Sequence, residues 1–185
     1  MIKKINLFIS YRRGDGSGEA GRIFDRLKEE FNVFFDTDSI RGGDDFPDEI
    51  KKGIEKSKII LFIVGENSCK EFKNRLSGTD YVVQEIAYAH ELNINAIPIL
   101  INNAKMPTTD CLPPEIHFLS GKNACSIEHI KFDQDIDHLI DEIILSVNKK
   151  IFLVSKSQTK NLIILKYFFL NHIVRKKLYF RMLHH

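Results

Sequence analysis

The chain has 185 residues, of which 43% are hydrophobic and 28% are charged, a composition typical of a soluble globular protein with a sizeable core. The formal charge of +2 is uneven: nine Lys and Arg and no acid lie in residues 149–185, so residues 1–148 carry a formal charge of −7. An acidic body argues against general nucleic-acid binding, because phosphates require a basic surface.

The N-terminal part alternates apolar runs with amphipathic segments. Asn6–Ser10 predicts a buried strand, and Ser17 is expected to cap the helix that follows. Apolar residues recur in that helix at helical spacing: Ala20, Ile23, Phe24, Leu27 and Phe31. Asn32–Asp36 predicts a second strand. After an acidic, glycine-rich loop, Pro47 suits the first turn of a helix that points Ile50 and Ile54 inward and ends near Ser57.

The clearest strand of the chain is Lys58–Gly65, a continuous apolar and β-branched run typical of a central parallel strand. A polar segment then leads to a helix from about Tyr81 to Leu92. Ala96–Ile101 predicts a fourth strand, and a proline-containing stretch precedes a weaker one at Ala124–Ile127. A last amphipathic helix ends near Asn148, with an apolar stripe at Phe132, Ile136, Leu139, Ile140, Ile143 and Ile144.

The regular alternation of strands and helices predicts an α/β fold of the flavodoxin-like, doubly wound kind, with a five-stranded parallel sheet flanked by helices. Ligands of such sheets bind outside the carboxyl ends of the strands. The polar clusters SYRRGDG, DTDSIRGGDDF and GENS follow three strands at that edge. The sequence therefore places a candidate site there.

Residues 1–148 form this domain, and residues 149–185 form a basic, apolar C-terminal extension that we expect to be helical. Its run NLIILKYFFLNHIV is too short to span a bilayer. Packing on the domain, or the start of a further module, is favoured over contact with a membrane or a partner, because its apolar residues form no narrow stripe. Its role stays open.

Several kinds of site are excluded by the absence of their motifs. The chain has no GxxxxGK[ST], GxSxG or HExxH pattern, and its histidines share no ligand spacing, so no metal is expected. No two of the three cysteines, Cys69, Cys111 and Cys125, form a CxxC pair. We therefore expect neither disulfides nor a zinc site, as for a protein of the reducing cytoplasm. The N-terminal apolar run is too short for a signal peptide. A phosphorylated receiver domain would need an acidic pair where Ser10-Tyr11-Arg12-Arg13 stands.

Five segments in order resemble the TIR (Toll/interleukin-1 receptor-like) domain family, across about residues 5–148. They are FISYRR, VFFDTDSIRGGDDFPDEI, KIILFIVGENS, YVVQEIAYAHELNINAIPILI and FDQDIDHLIDEII. The resemblance extends to members of the bacterial NAD-cleaving type, whose catalytic Glu lies in a W-x-x-x-E pattern. Tyr81 and Glu85 occupy the two ends of that pattern here. Tyr in place of Trp keeps an aromatic wall with a polar tip.

The resemblance implies that Glu85 is catalytic. It also implies substrate contacts at Ser10, Tyr11, Arg12, Arg13, Asp36, Arg41, Phe46 and Tyr81. For several of these positions a structural role is as well supported: the two arginines as solvated loop residues, Asp36 as a loop cap, and Phe46 as an anchor of its loop. Gly42 and Gly43 would let that loop close over the substrate.

By the same resemblance, the chain is expected to be an NAD+ glycohydrolase that releases nicotinamide and either ADP-ribose or a cyclic product. NAD+ is then a substrate, and no cofactor is expected. Self-association through TIR–TIR contacts, a sensor or effector partner, a cytoplasmic location and a role in bacterial anti-phage defence or NAD-depletion signalling follow as expectations. The alternative is a non-catalytic adaptor that associates with other TIR domains and has no need of the Glu85 carboxylate.

Overall fold

The computed structural model describes residues 4–35, 48–74 and 80–155, with side chains described as far as residue 148. The chain divides into two units, Met1–Ile144 and Leu145–His185, and the second is described only as far as Ser155. The strands are β1 (Asn6–Ser10), β2 (Asn32–Phe35), β3 (Ile59–Val64), β4 (Asn95–Ile101) and β5 (Cys125–Ile127). The helices are α1 (Ser17–Leu27), α2 (Asp48–Lys56), α3 (Ser68–Asn74), α4 (Tyr81–Glu91), a 3-10 segment (Pro114–Gly121) and α5 (Phe132–Ser155).

The five strands form one parallel sheet in the order β2-β1-β3-β4-β5, which confirms the predicted doubly wound α/β fold. Every residue of β3 is buried, as a continuous apolar run in a central strand predicts. The chain winds from β1 to one side through β2 and to the other side through β3. The switch point of the topology therefore lies between the carboxyl ends of β1 and β3.

The core lies on both faces of this sheet because residues of a strand alternate between its faces. Ile60, Phe62 and Val64 of β3 belong to one cluster with buried residues of α2 and α4. Ile23 and Leu27 of α1 are buried as well, as their helical spacing predicts. The helices thus cover the sheet and leave its carboxyl edge to loops.

The start of α1 differs from the prediction that Ser17 caps it. Gly16 is the N-cap residue, with φ of 120° and no side-chain cap bond, and Ser17 is the first helical residue. A Cβ at residue 16 would lie 2.3 Å from Cδ1 of Ile101, so the close approach of the loop to β4 requires glycine there. Phe31 is buried beyond the end of α1.

Two short helices lie where polar or proline-containing connections were expected, namely α3 and the 3-10 segment. Neither has the length over which a helical period becomes visible. The last helix, α5, continues to Ser155, past the expected end near Asn148. Within the described residues, no helix combines the length and hydropathy needed to cross a membrane.

The expectation of no disulfide is wrong. Cys69 in α3 and Cys111 in the segment after β4 are joined by a disulfide across a sequence separation of 42 residues. The pairing arises because the fold brings two segments together at the carboxyl edge, which no local spacing of cysteines indicates. Cys125 is a free thiol, and burial, with a smaller contribution from Glu142, raises its pKa.

Candidate active site

The site at the carboxyl edge is built from three segments that meet at the switch point. The first is the end of β1 with the loop 11–16, the second is the turn between β3 and α3, and the third is the N-terminal half of α4. Most of the buried polar side chains in the described part of the chain belong to these segments: Ser10, Arg12, Asp15, Ser68, Asp80 and Glu85. Burial of so many polar groups is unfavourable unless each finds partners.

The carboxylate of Glu85 is 6% exposed and accepts a hydrogen bond from the hydroxyl of Ser10, which is 1% exposed. The distance from Ser10 Oγ to Glu85 Oε2 is 2.5 Å, between residues 75 positions apart in the sequence. Glu85 borders the buried face of α4, next to Ile86. Glu85 is therefore not a solvated helix residue, and its carboxylate is held against the last residue of β1.

A buried ion pair joins the loop after β1 to the start of α4. Arg12 Nη2 lies 2.5 Å from Asp80 Oδ2, and the two side chains are 5% and 2% exposed. The guanidinium also lies over the ring of Phe72, 4.4 Å from its centroid. Asp80 Oδ1 accepts a hydrogen bond from the backbone N–H of Val82 at 3.2 Å, so Asp80 caps α4.

Asp15 connects the loop after β1 to the turn after β3. Its carboxylate accepts hydrogen bonds from the Ser68 hydroxyl at 2.9 Å and from the Asn67 backbone N–H at 3.2 Å. The Ser68 oxygen in turn accepts from the N–H of Gly65 at 3.0 Å. A Cβ at Gly65 would lie 2.4 Å from this carboxylate, so only glycine lets the two segments approach so closely.

The remaining predicted substrate contacts lie in different environments. The ring of Tyr11 stacks on Phe35 at the end of β2, with centroids 4.8 Å apart, and is half-buried. Arg13 is exposed, and Tyr81 is half-buried at the first position of α4. Three further predicted contacts lie outside the described residues: Asp36, Arg41 and Phe46. The structure thus brings Ser10 to Glu85 and encloses Arg12.

Sequence reasoning missed Asp80 and Asp15. An Asp directly before an apolar helix is a known start signal, so the capping role of Asp80 was open to prediction. Its pairing with Arg12 spans 68 residues and has no local signal. The same holds for the contacts of Asp15 with Asn67 and Ser68, 52 and 53 positions away.

The arrangement offers the buried carboxylate of Glu85 beside the Ser10 hydroxyl, while the buried carboxylates of Asp15 and Asp80 make contacts of their own. Across the described ranges, no three His, Cys, Asp or Glu side chains are grouped as metal ligands would be. One fixed negative charge in a low-dielectric setting is suited to stabilising positive charge that develops on a bound ligand.

The sequence model of the family described as TIR domain matches residues 7–144. The NAD(+) hydrolase tir-1 of Caenorhabditis elegans is 31% identical over 131 residues, which are 70% of this chain and 13% of that protein. The NAD(+) hydrolase sarm1 of Drosophila melanogaster is 28% identical over 140 residues, which are 75% of this chain and 10% of that protein. The chain thus spans only about a tenth of the length of these two relatives.

Among solved structures, the TIR domains of the activated Roq1 resistosome share the fold, with a TM-score of 0.53. That alignment has 10% sequence identity and covers 74% of this chain and 98% of the other. The match to the family model spans residues 7–144, and the strand order and flanking helices of that range agree with it. This chain therefore belongs to the TIR domain family.

Proposed function

We propose that the chain cleaves NAD+ at the bond between nicotinamide and ribose, with Glu85 as the catalytic carboxylate. The observation that carries the proposal is the burial of Glu85 at the switch point of the sheet, where the Ser10 hydroxyl holds it at 2.5 Å. Its place in the Tyr81-x-x-x-Glu85 pattern and the names of two animal relatives as NAD(+) hydrolases support the same reaction.

A single carboxylate is sufficient for this reaction. Most glycosidases use two, because a leaving oxygen must be protonated. Nicotinamide leaves from a cationic nitrogen: the C–N bond breaks, its electron pair goes to the ring nitrogen, and no proton is needed. Positive charge develops on the ribose, and Glu85 stabilises it. Water then attacks the anomeric carbon and loses a proton to give ADP-ribose, whereas attack by a nucleophile of the substrate itself gives a cyclic product.

Ser10 positions the Glu85 carboxylate in this proposal, in addition to making the substrate contact that the resemblance implies. Its hydroxyl donates to one oxygen of Glu85 and fixes the plane of the carboxylate without removing its charge. Tyr81 begins the same helix and supplies the aromatic wall. Arg13, exposed in the loop after β1, and Tyr11 are proposed to contact the nucleotide. Asp36, Arg41 and Phe46 stay predictions from the sequence.

The setting of the reaction is proposed on the family resemblance. We expect activity to depend on self-association through TIR–TIR contacts and on a sensor or effector partner. A cytoplasmic location, a relation to the bacterial NAD-cleaving type and a role in anti-phage defence or NAD-depletion signalling remain predictions. The relatives described above come from animals.

The proposal is tested by incubating the purified chain with NAD+ over a wide range of protein concentrations and measuring nicotinamide and the nucleotide product by chromatography. Nicotinamide release that rises more than linearly with concentration is expected, and Glu85→Ala should abolish it. No release at any concentration would rule out the enzyme. Association that persists in Glu85→Ala, in a chain without turnover, would instead favour the adaptor.

A further inference from the structure

We propose that Arg12 is a positioning residue, which acts through Asp80 to fix the start of α4 and thereby the place of Glu85. The resemblance to TIR enzymes implies a different role, direct contact of Arg12 with the substrate. The catalytic consequence of this inference rests on the proposed cleavage of NAD+. The positioning itself concerns only the fold and has its own readout.

The surroundings of Arg12 argue against contact with a phosphate. Its side chain is 5% exposed, Asp80 neutralises its charge, and the ring of Phe72 covers a face of the guanidinium. Arginine binds phosphate through an open fork of N–H donors. Here that fork is directed into the protein, whereas the neighbouring Arg13 is exposed.

Asp80 transmits the contact because its two oxygens serve different segments. Oδ2 pairs with Arg12 from the loop after β1, and Oδ1 accepts the N–H of Val82 in the first turn of α4. The backbone oxygen of Asp80 also accepts the N–H of Gln84 at 3.0 Å. A negative charge at this end of a helix is favourable in addition, because the helix dipole is positive there. Movement of Arg12 therefore moves the first turn of α4.

Glu85 follows Asp80 by about a turn and a half of helix, so a shift of the helix start shifts its carboxylate. Residues 10–12 hold α4 at both places, through Ser10 at Glu85 and through Arg12 at Asp80. Two contacts from one short segment fix both the rotation of α4 and its position along the sheet edge. A displacement of about 1 Å at a reacting group lowers a rate by about 100-fold.

The contact has unfavourable features that a purely stabilising interaction would avoid. Arg12 Nε is buried and has no hydrogen-bond partner among the residues that the structure describes. Burying an ion pair also removes two charges from water, and a packed apolar pair of similar volume is often as stable. An exact placement of α4 accounts for an ion pair at this position better than stability does.

A double-mutant cycle tests the inference, with Arg12→Met, Asp80→Asn and the double variant. Asn at residue 80 keeps the helix cap while removing the charge. Each single variant should lower kcat by about 10- to 100-fold, with KM within about threefold of the wild-type value. The double variant should have a kcat no lower than that of the less active single variant, because both substitutions break the same contact. Arg12→Lys, which keeps the charge without the fork, should recover part of the loss.

Arg13→Met is the matched control, since Arg13 adjoins Arg12 and is exposed. It is expected to raise KM while changing kcat little. The inference is overturned if Arg12→Met instead raises KM about tenfold or more at unchanged kcat, or if the losses of the two single variants multiply in the double variant.

Amide hydrogen exchange of Val82 and Gln84 separates this inference from the proposed function. Arg12→Met should speed their exchange by about tenfold or more, and the double variant, without an unpaired buried charge, should restore part of the protection. These exchange rates test the positioning role of Arg12 even if the wild-type chain releases no nicotinamide. The absence of release would overturn only the proposed function. Wild-type exchange rates in Arg12→Met would overturn the positioning. If Arg12→Met does not fold, Arg12→Lys and the double variant give the same comparison.

Discussion

Polar side chains at the amino edge of the sheet, where the strands begin, differ in burial from those at the carboxyl edge, where the strands end. At the amino edge, Asn32 donates to the side chain of the half-buried Asn6 at 3.0 Å, and Lys4 Nζ donates to the backbone oxygen of Glu29 at 2.8 Å; both hydrogen bonds are exposed. At the carboxyl edge, Glu85 and the Arg12–Asp80 pair are buried. Exposed hydrogen bonds exchange readily with water, whereas buried ones depend on exact partners. The comparison indicates that the carboxyl edge is built for a defined arrangement of charges.

The largest effect on stability is expected for Asp80→Ala at the carboxyl edge. The substitution leaves the Arg12 charge buried without its partner and removes the cap of α4. Loss of one partner of a buried ion pair lowers the free energy of unfolding by about 3–5 kcal/mol. Urea unfolding followed by circular dichroism measures this loss. A loss below about 1 kcal/mol would mean that the pair contributes no more than an exposed one.

Opening the Cys69–Cys111 disulfide should have the next largest effect. The bond closes a loop with a sequence separation of 42 residues, and cross-links of this kind stabilise by about 2–4 kcal/mol. Thermal unfolding with and without a reductant measures the difference, and Cys125→Ser, which leaves the bond in place, is the control. Detection of three free thiols by mass labelling of the unfolded, unreduced chain would contradict the bond itself.

A smaller loss is expected for Asp15→Ala. The change removes the acceptor of the Ser68 hydroxyl and of the Asn67 N–H, and unsatisfied donors of this kind lower stability by about 1–3 kcal/mol. Asp25→Ala is the matched control, because Asp25 is exposed and its ion pair with Lys28 spans one helical turn. It should change the free energy of unfolding by less than about 1 kcal/mol. If Asp15→Ala and Asp25→Ala lowered the free energy of unfolding equally, the buried contacts of the carboxyl edge would contribute no more to stability than an exposed ion pair does.

The smallest effect is expected at the amino edge itself. Asn32→Ala removes the exposed hydrogen bond to Asn6 and should alter the free energy of unfolding by about 0.5 kcal/mol or less. Its unfolding curve should overlay that of the wild-type chain. A loss as large as that of Asp80→Ala would show that the two edges do not differ in energetic weight.

Much of the fold was predictable because its signals are local. The run of apolar residues from Ile59 to Val64 predicts a central strand, and the alternation of strands with amphipathic helices predicts the parallel sheet. The exceptions are short or depend on distant contacts. The helix α3 has only seven residues, and Gly16 replaces Ser17 as a cap because Ile101 lies against it.

The site was predictable only in part. Periodicity alone places Glu85 on an amphipathic helix, and the ordered motifs of the family single it out. Three contacts join residues far apart in sequence, and no local pattern encodes them: Glu85 with Ser10, Arg12 with its partner Asp80, and the disulfide. The burial of Arg12 is the clearest example, since an Arg-Arg pair in a glycine-containing loop predicts exposure for both residues.

The central claim, that Glu85 is the catalytic carboxylate of an NAD+-cleaving site, is tested most directly by one comparison of rates. Nicotinamide release is measured for the wild-type chain, for Glu85→Gln and for Glu91→Gln, which changes an exposed Glu at the end of the same helix. The account predicts a loss of about 100-fold or more for Glu85→Gln and a rate within about twofold of wild type for Glu91→Gln. A folded Glu85→Gln chain that releases nicotinamide at the wild-type rate would contradict it.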